Sequence, residues 1–213
     1  MERVFGVPVL EAYGMTEASH QMSSNPVPPA ARKAGSVGPG TGVKIGIMDE
    51  AGNLLPQGER GEVVIQGPNV VAGYENNPEA NEKSFTHGWF RTGDQGYLDE
   101  DGYLMLTGRL KEMINRGGEK IGPREIDEVL LSHPAVAEAV AFGVPHPAWG
   151  EEVAAAIVLK EDTPATDAAI LAFCKERLAE FKCPKKIYIT TAIPRTATGK
   201  IQRGAVAKAF AGV

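Results

Sequence analysis

The sequence holds little cysteine, no long apolar run and no stretch dominated by charge of one sign. Its two cysteines, Cys174 and Cys183, are too few and too far apart for a CxxC redox or zinc pattern, which leaves packing thiols as the reading. The apolar run in MERVFGVPVLEAYG is far too short to span a bilayer and lacks a signal-peptide cleavage pattern. The last residues carry no peroxisomal Ser-Lys-Leu ending and no prenylation box. A cytoplasmic protein is therefore the expectation. Net charge is −5 with signs alternating along the chain, so neither a nucleic-acid stripe nor a polybasic lipid-binding run is present. The GxxxxGK[ST] spacing of a Walker loop is also missing.

What remains is a chain of 213 residues, a length that fits two modest domains. The stretch from Tyr103 to Glu125, YLMLTGRLKEMINRGGEKIGPRE, joins an apolar strand pattern to an Arg-x-Lys corner, a Gly117-Gly118 turn and a helix opened by Pro123. It reads as a hinge between β-rich structure and a small alternating α/β region.

Upstream, Val9 to Ala12 reads as a buried strand with no evident partner in the segment that follows, so its sheet neighbours are expected before Met1. VKIGIM and GEVVIQG form a meander, and Asn77 with Pro78 opens a short helix. WFRTGDQGYLDEDGYLMLTG divides into three more short strands of a barrel-like sheet. Downstream, Pro123 to Ser132 places Ile126, Val129 and Leu130 on one helical face. Strands follow at Val136 to Val144, Glu152 to Leu159 and Lys186 to Thr190. Thr166 caps a helix with Ile170, Leu171, Cys174, Leu178 and Phe181 inward, and a last helix runs from Lys200. Two helices on a small sheet make a self-sufficient unit.

Five residues could carry chemistry. Thr16 and Glu17 follow a strand and a glycine, where a hydroxyl and backbone amides meet phosphate and a carboxylate holds a hard cation such as Mg²⁺; seen alone they equally make a polar turn. Asp94, beside glycines in RTGDQG, could accept from a ribose diol, or could be an ordinary turn aspartate. Arg109 could donate to the same ribose. Lys200, on a loop with Thr196, Thr198 and Gly199, is either merely exposed or a mobile positive charge for phosphoryl or adenylyl transfer.

Taken together, YGMTE, GEVVIQG, WFRTGDQGYLDEDGYLMLTGRLKEMINRGGEKIGPREID and PRTATGKIQR occur in the order found in the adenylate-forming superfamily, which the whole chain resembles. That resemblance implies an α/β (α+β) fold: a β-rich remnant of the large N-terminal domain over residues 1–108, a hinge at 109–111, and a small mobile C-terminal lid domain over 112–213. It implies ATP/AMP, Mg²⁺ and CoA, and acid–CoA ligation through an acyl-adenylate. By the same resemblance Thr16 contacts the AMP phosphate, Glu17 binds Mg²⁺, Tyr13 lies beside the adenine, Asp94 and Arg109 hold the ribose, and Lys111 is the hinge residue. The Gly117-Gly118 loop enters for the thioester step and Lys200 assists adenylation.

The family's phosphate loop, TSGTTGxPK, is nowhere in the sequence. The chain thus looks like the C-terminal part of such an enzyme, expected to need an N-terminal part as partner and to be inactive alone. EAYGMTEASHQMSSNP resembles the oxalyl-CoA synthetase branch, making Ser19 and His20 candidates for the second carboxylate of a small dicarboxylate, unless His20 only orders its loop. Two other readings stay open: an adenylation domain that loads a carrier protein, and a non-catalytic remnant.

Overall fold

A computed structural model describes residues 1–197 and 199–211; Thr198, placed by sequence on the lysine loop, lies outside the described residues. The chain divides into two compact units, Met1–Leu110 and Lys111–Val213.

The first unit opens with α1 (Glu2–Phe5), ended by Gly6 in the left-handed conformation and burying nothing. Strand β1 (Ala12–Tyr13) pairs antiparallel with β2 (Ser23–Ser24). The partner of this strand is therefore downstream and close in sequence, contrary to the expectation, and Val9 is exposed rather than buried. The reversal between β1 and β2 is a tight loop: a Cβ on Gly14 would lie 1.6 Å from the His20 carbonyl oxygen. Only glycine permits that approach.

Strands β3 (Lys44–Met48), β4 (Gly61–Gln66), β5 (Phe85–Thr86), β6 (Trp89–Leu98) and β7 (Leu104–Arg109) form an antiparallel sheet. The order is β3-β4-β6, with β5 and β7 sharing the far edge of β6. Among the described residues β3 forms no ladder with that far edge, so the sheet is open and not the expected barrel. Gly93 does not break β6 either. The register slips between Glu62 and Val64, where Thr92, Gly93 and Asp94 stand opposite Val63 alone, and Gly93 at φ 74° sits at the centre of that bulge. Side chains hold the bulge: Gly93 N donates to Glu62 Oε1 (2.9 Å) and the Thr92 hydroxyl to Val63 O (2.7 Å). One sheet face packs Ile65 and Phe90 against Met22 and Ala18, the other Ile47, Val63 and Leu104 against Val37. Helix α2 (Pro78–Ser84) is capped by Asn77, whose side chain accepts from Ala80 N.

In the second unit, β8 (Ile114–Arg116) and β9 (Glu119–Ile121) form a hairpin, followed by α3 (Pro123–Leu131), β10 (Val136–His146), β11 (Gly150–Leu159), α4 (Asp167–Lys175), β12 (Lys186–Thr190) and α5 (Arg203–Ala211). Strand β11 is central, with antiparallel β10 along one edge and parallel β12 plus the β8 hairpin on the other. Both faces are covered. Ala139, Ala141, Val153, Ala155 and Ile157 face Ile126, Leu130, Ile170 and Cys174; Val140, Phe142, Ala154 and Ala156 face Val206. Burial on two sides is why VAEAVAFGV and EVAAAIVL read as near-continuous apolar runs. Three helices, rather than two, cover this sheet.

Thr166 caps α4 by accepting from Ala169 N, but the helix stops at Lys175, so Phe181 falls beyond it and is exposed. The last helix begins at Arg203, because the backbone around Lys200 is held in a hydrogen-bonded loop.

The segment Lys111–Val213 contains its own core and is expected to unfold alone in one cooperative transition. Leu130, fully buried, gives the check: Leu130→Ala in that segment should cost about 2–5 kcal/mol by chemical denaturation, the range for a buried leucine.

Candidate active site

In the first unit, Tyr13, Asp94 and Arg109 form one group, joined by a hydrogen bond and an ion pair. Asp94 lies just past the Gly93 bulge, buried, and directly opposite Arg109 in the β6–β7 register. Its Oδ1 pairs with Arg109 Nε at 3.0 Å, and its Oδ2 accepts from the Tyr13 hydroxyl at 2.5 Å. Burial, and then the adjacent Asp94 carboxylate, push the Tyr13 phenol well above its usual range, so it stays a donor. An ionised carboxylate offers about four lone-pair sites, leaving Asp94 acceptor capacity for a diol. The Arg109 side chain is 65% exposed, so the rest of its donor fork faces solvent.

Thr16, Glu17, Ser19 and His20 share the loop between β1 and β2. Thr16–Ala18 is a 3-10 turn with Thr16 exposed and Glu17 half-buried. Ser19 and His20 follow at positive φ, 50° and 77°, the left-handed region uncommon for such residues. The loop is tied down from outside. Asn69 Nδ2 donates to Ala18 O (2.8 Å) and Gln21 O (3.0 Å), and Val71 N donates to Glu17 O (2.8 Å). The Ser19 hydroxyl donates to Asn69 O, so its proton is turned to the protein, while His20 is exposed.

Glu17 Oε1 accepts from the Tyr74 hydroxyl at 2.9 Å. No group of three or more His, Cys, Asp or Glu among the described residues could hold a metal ion by itself. A Mg²⁺ ion carried by nucleotide phosphates needs only one or two carboxylates from a protein. Glu17, half-buried with one carboxylate oxygen accepting from Tyr74, supplies one such hard oxygen donor.

In the second unit, Lys111 is exposed in a 3-10 turn, Leu110–Glu112. Gly117 and Gly118 make the β8–β9 turn at φ 60° and 96°, and a Cβ on Gly117 would lie 2.8 Å from the Trp149 ring. Gly117 N donates to Trp149 O (2.7 Å), and Gly118 N to Asn115 Oδ1 (3.1 Å). Arg116 pairs with Glu152 (2.7 Å) and lies over the Trp149 ring.

Lys200 is exposed after Gly199 at φ 81°. Its backbone closes a loop on Thr196: Lys200 N donates to Thr196 Oγ1 (3.1 Å) and Thr196 N to Lys200 O (2.8 Å). Arg195 ties that loop to Glu138 (2.7 Å). Glu138 pairs with Val158 and the glycine turn pairs at Gly150, so the two loops hang on opposite ends of β11, roughly 26 Å of strand at about 3.3 Å per residue.

The residues that hold these loops, Asn69, Tyr74 and Trp149, escape a reading of the sequence by motif. Each acts on a loop far from it in the chain, and only Tyr74, one residue after a glycine in a polar segment, offers a local signal.

The chain is similar to known proteins over nearly its whole length. The AMP-binding enzyme family matches residues 1–75, and the AMP-binding enzyme C-terminal domain matches residues 125–200. The chain is 56% identical to an oxalate–CoA ligase of Arabidopsis thaliana over 99% of its own length and 41% of the relative's. It superposes on ATP-bound MatB from Rhodopseudomonas palustris with a TM-score of 0.90 at 38% identity, covering 96% of this chain and 41% of that one. With the o-succinylbenzoate–CoA synthetase of Bacillus subtilis in complex with ATP and magnesium the TM-score is 0.86 at 40% identity, covering 96% and 42%. The chain thus spans about two fifths of the length of the proteins it matches. With both matched segments in order and all these relatives alike in kind, the chain belongs to the AMP-binding, adenylate-forming enzyme family.

Proposed function

We propose that this chain supplies the ribose and metal side, together with two exchanging loops, of an acid–CoA ligase. In the first half-reaction a carboxylate oxygen attacks the α-phosphorus of ATP, the bond to the pyrophosphate oxygen breaks, and an acyl-adenylate forms. In the second, the CoA thiolate attacks the acyl carbonyl and AMP leaves. Asp94 accepts from the ribose hydroxyls while Arg109 donates to them, and Tyr13 holds Asp94 in place beside the adenine. Thr16 donates to the α-phosphate, and Glu17 would hold the Mg²⁺ that offsets phosphate charge. Lys200 stabilises charge growing on the phosphate during adenylation. Lys111 is the pivot, and the boundary regions 1–108, 109–111 and 112–213 act as platform, hinge and lid.

One observation carries the reading: the lysine loop and the glycine turn are fixed to opposite ends of one rigid strand pair. Two such loops cannot serve one site simultaneously, so a unit carrying both suits two half-reactions performed in turn. The substrate we favour is oxalate or a similarly small dicarboxylate, supported by the relative named above and by exposed His20 following Glu17.

The test uses a chimera in which this chain replaces the matching C-terminal part of a full-length oxalate–CoA ligase. Lys200→Ala should slow oxalate-dependent ATP–pyrophosphate exchange on the order of 10²-fold or more, the scale of losing one preorganised donor. Thioester formation from supplied oxalyl-adenylate should persist. Lys111→Pro, which fixes φ near about −65°, should spare adenylation and block the thioester step. If both variants lose both half-reactions equally, a rotating lid is the wrong description.

Substrate choice gets its own measurement. His20→Ala should lower kcat/KM for oxalate roughly tenfold or more, the scale of one hydrogen bond to a charged group, with little change for acetate. Equal losses for the two acids would remove His20 from recognition of the second carboxylate.

A further inference from the structure

Arg203 opens α5 three positions after Lys200, and its side chain is largely buried, at 18% exposure. Its Nη1 and Nη2 fork the Asp127 carboxylate at 3.2 and 2.6 Å, and Nη1 also donates to Ala141 O at 2.8 Å. Asp127 Oδ1 accepts in turn from Ala141 N at 2.6 Å. Asp127 comes from α3, on one face of the sheet, and Arg203 from α5, on the other. The pair therefore closes around the open edge of β10, occupying both backbone groups of Ala141. Burial pushes the Asp127 carboxyl above its usual range while the guanidinium opposes it, and a buried charge of this kind persists only with a well-aligned partner.

The third nitrogen, Arg203 Nε, donates to Glu112 Oε2 at 2.8 Å. Glu112 immediately follows Lys111. On the other stem of the lysine loop, Arg195 donates to Gly199 O (3.1 Å) and pairs with Glu138, and its backbone bridges Ile201. Both stems are thus pinned to β10, and one of them is tied directly to the residue beside the pivot.

We infer that Arg203 is a positioning residue for Lys200: through Glu112 it couples the segment beside Lys111 to the loop that carries the lysine, so that the lysine moves with the pivot as part of one rigid body. This inference rests on the adenylation role assigned to Lys200 above. A staple that merely stabilised the fold would affect both half-reactions and the whole unit; a positioning residue acts on the lysine step alone.

Two measurements separate these. In the 213-residue chain, Arg203→Gln should speed amide exchange at Gly199, Lys200 and Ile201 by at least about tenfold, as local opening does, while the β10–β11 amides keep their protection. In the full-length chimera, a cycle of Lys200→Ala, Arg203→Gln and the double variant is read in both half-reactions. Arg203→Gln should slow adenylation about tenfold or more and leave thioester formation from oxalyl-adenylate unchanged, with no further loss on the Lys200→Ala background, since coupled residues are not additive.

Glu112→Ala leaves the Asp127 fork intact and should give a smaller loss of the same kind; it decides the matter if Arg203→Gln does not fold. Equal loss in both half-reactions, an additive double variant, or unchanged exchange at the loop would overturn the coupling. If Lys200→Ala itself left adenylation intact, the functional reading would fail first, and the cycle would show that separately.

Discussion

The antiparallel pairing of β10 with β11 is the constraint on which the second unit depends. Its register runs from Val136–Leu159 to His146–Gly150 with one irregularity between Val136 and Glu138, long enough to keep its two ends apart, and its middle is buried on both faces. A ribbon with apolar residues alternating to two different cores does not slip, because a one-residue shift would exchange every side chain between faces. Fixed register converts into fixed separation. The lysine loop and the glycine turn are each tied to one end, so their distance is a property of the strands and not of the loops. In the mechanism proposed here a rotation about Lys111 exchanges them, and a rigid spacer is what lets one pivot serve both steps.

The first unit solves a different problem, that of aiming one carboxylate. The bulge at Gly93 rests on Glu62 and Val63, and it sets Asp94 in register with Arg109 and within reach of Tyr13. Three residues of β6, Thr92 to Asp94, stand opposite Val63 of β4, and this even number of extra residues keeps Asp94 on the buried side with Phe90 and Thr92. The bulge and the glycine are thus one device, and the tight β1–β2 loop that brings up Tyr13 and Glu17 depends likewise on Gly14.

These devices explain which features are legible in the sequence and which are not. Caps at Asn77 and Thr166, the apolar face of α3 and the strands of the second unit rest on local spacing, and local spacing is visible in a sequence. The segment order that marks the family is visible for the same reason, since each motif is a short turn with its flanking strand. Local signals mislead where distant partners overrule them. Gly93 reads as a strand break and is a bulge because Glu62 and Val63 supply its hydrogen bonds. Phe181 continues the periodicity of α4 but falls after its end. The neighbour of β1 reads as lying upstream because the polar loop between the strands carries no hairpin signature.

Among the site residues, the ones that touch ligand in the proposed mechanism lie in motifs, whereas Asn69 and Tyr74, which hold them, do not, and the partners of Arg203 are not legible in the motif that it ends. Tyr74 reaches Glu17, Asn69 spans Ala18 and Gln21, and Arg203 joins Glu112, Asp127 and Ala141. An arginine at the start of a helix is by propensity and dipole a poor choice, since a cation near a helix N-terminus is disfavoured by roughly 0.3–1 kcal/mol. At Arg203 two carboxylates and a carbonyl outweigh that penalty, because charge-assisted bonds in a forked geometry are worth more than the dipole term. A residue placed against its local preference is therefore the trace that a long-range partner leaves in a sequence. The position of Arg203 declares that such a partner exists, and the fold of the sheet around β10 determines that the partners are Asp127, Ala141 and Glu112.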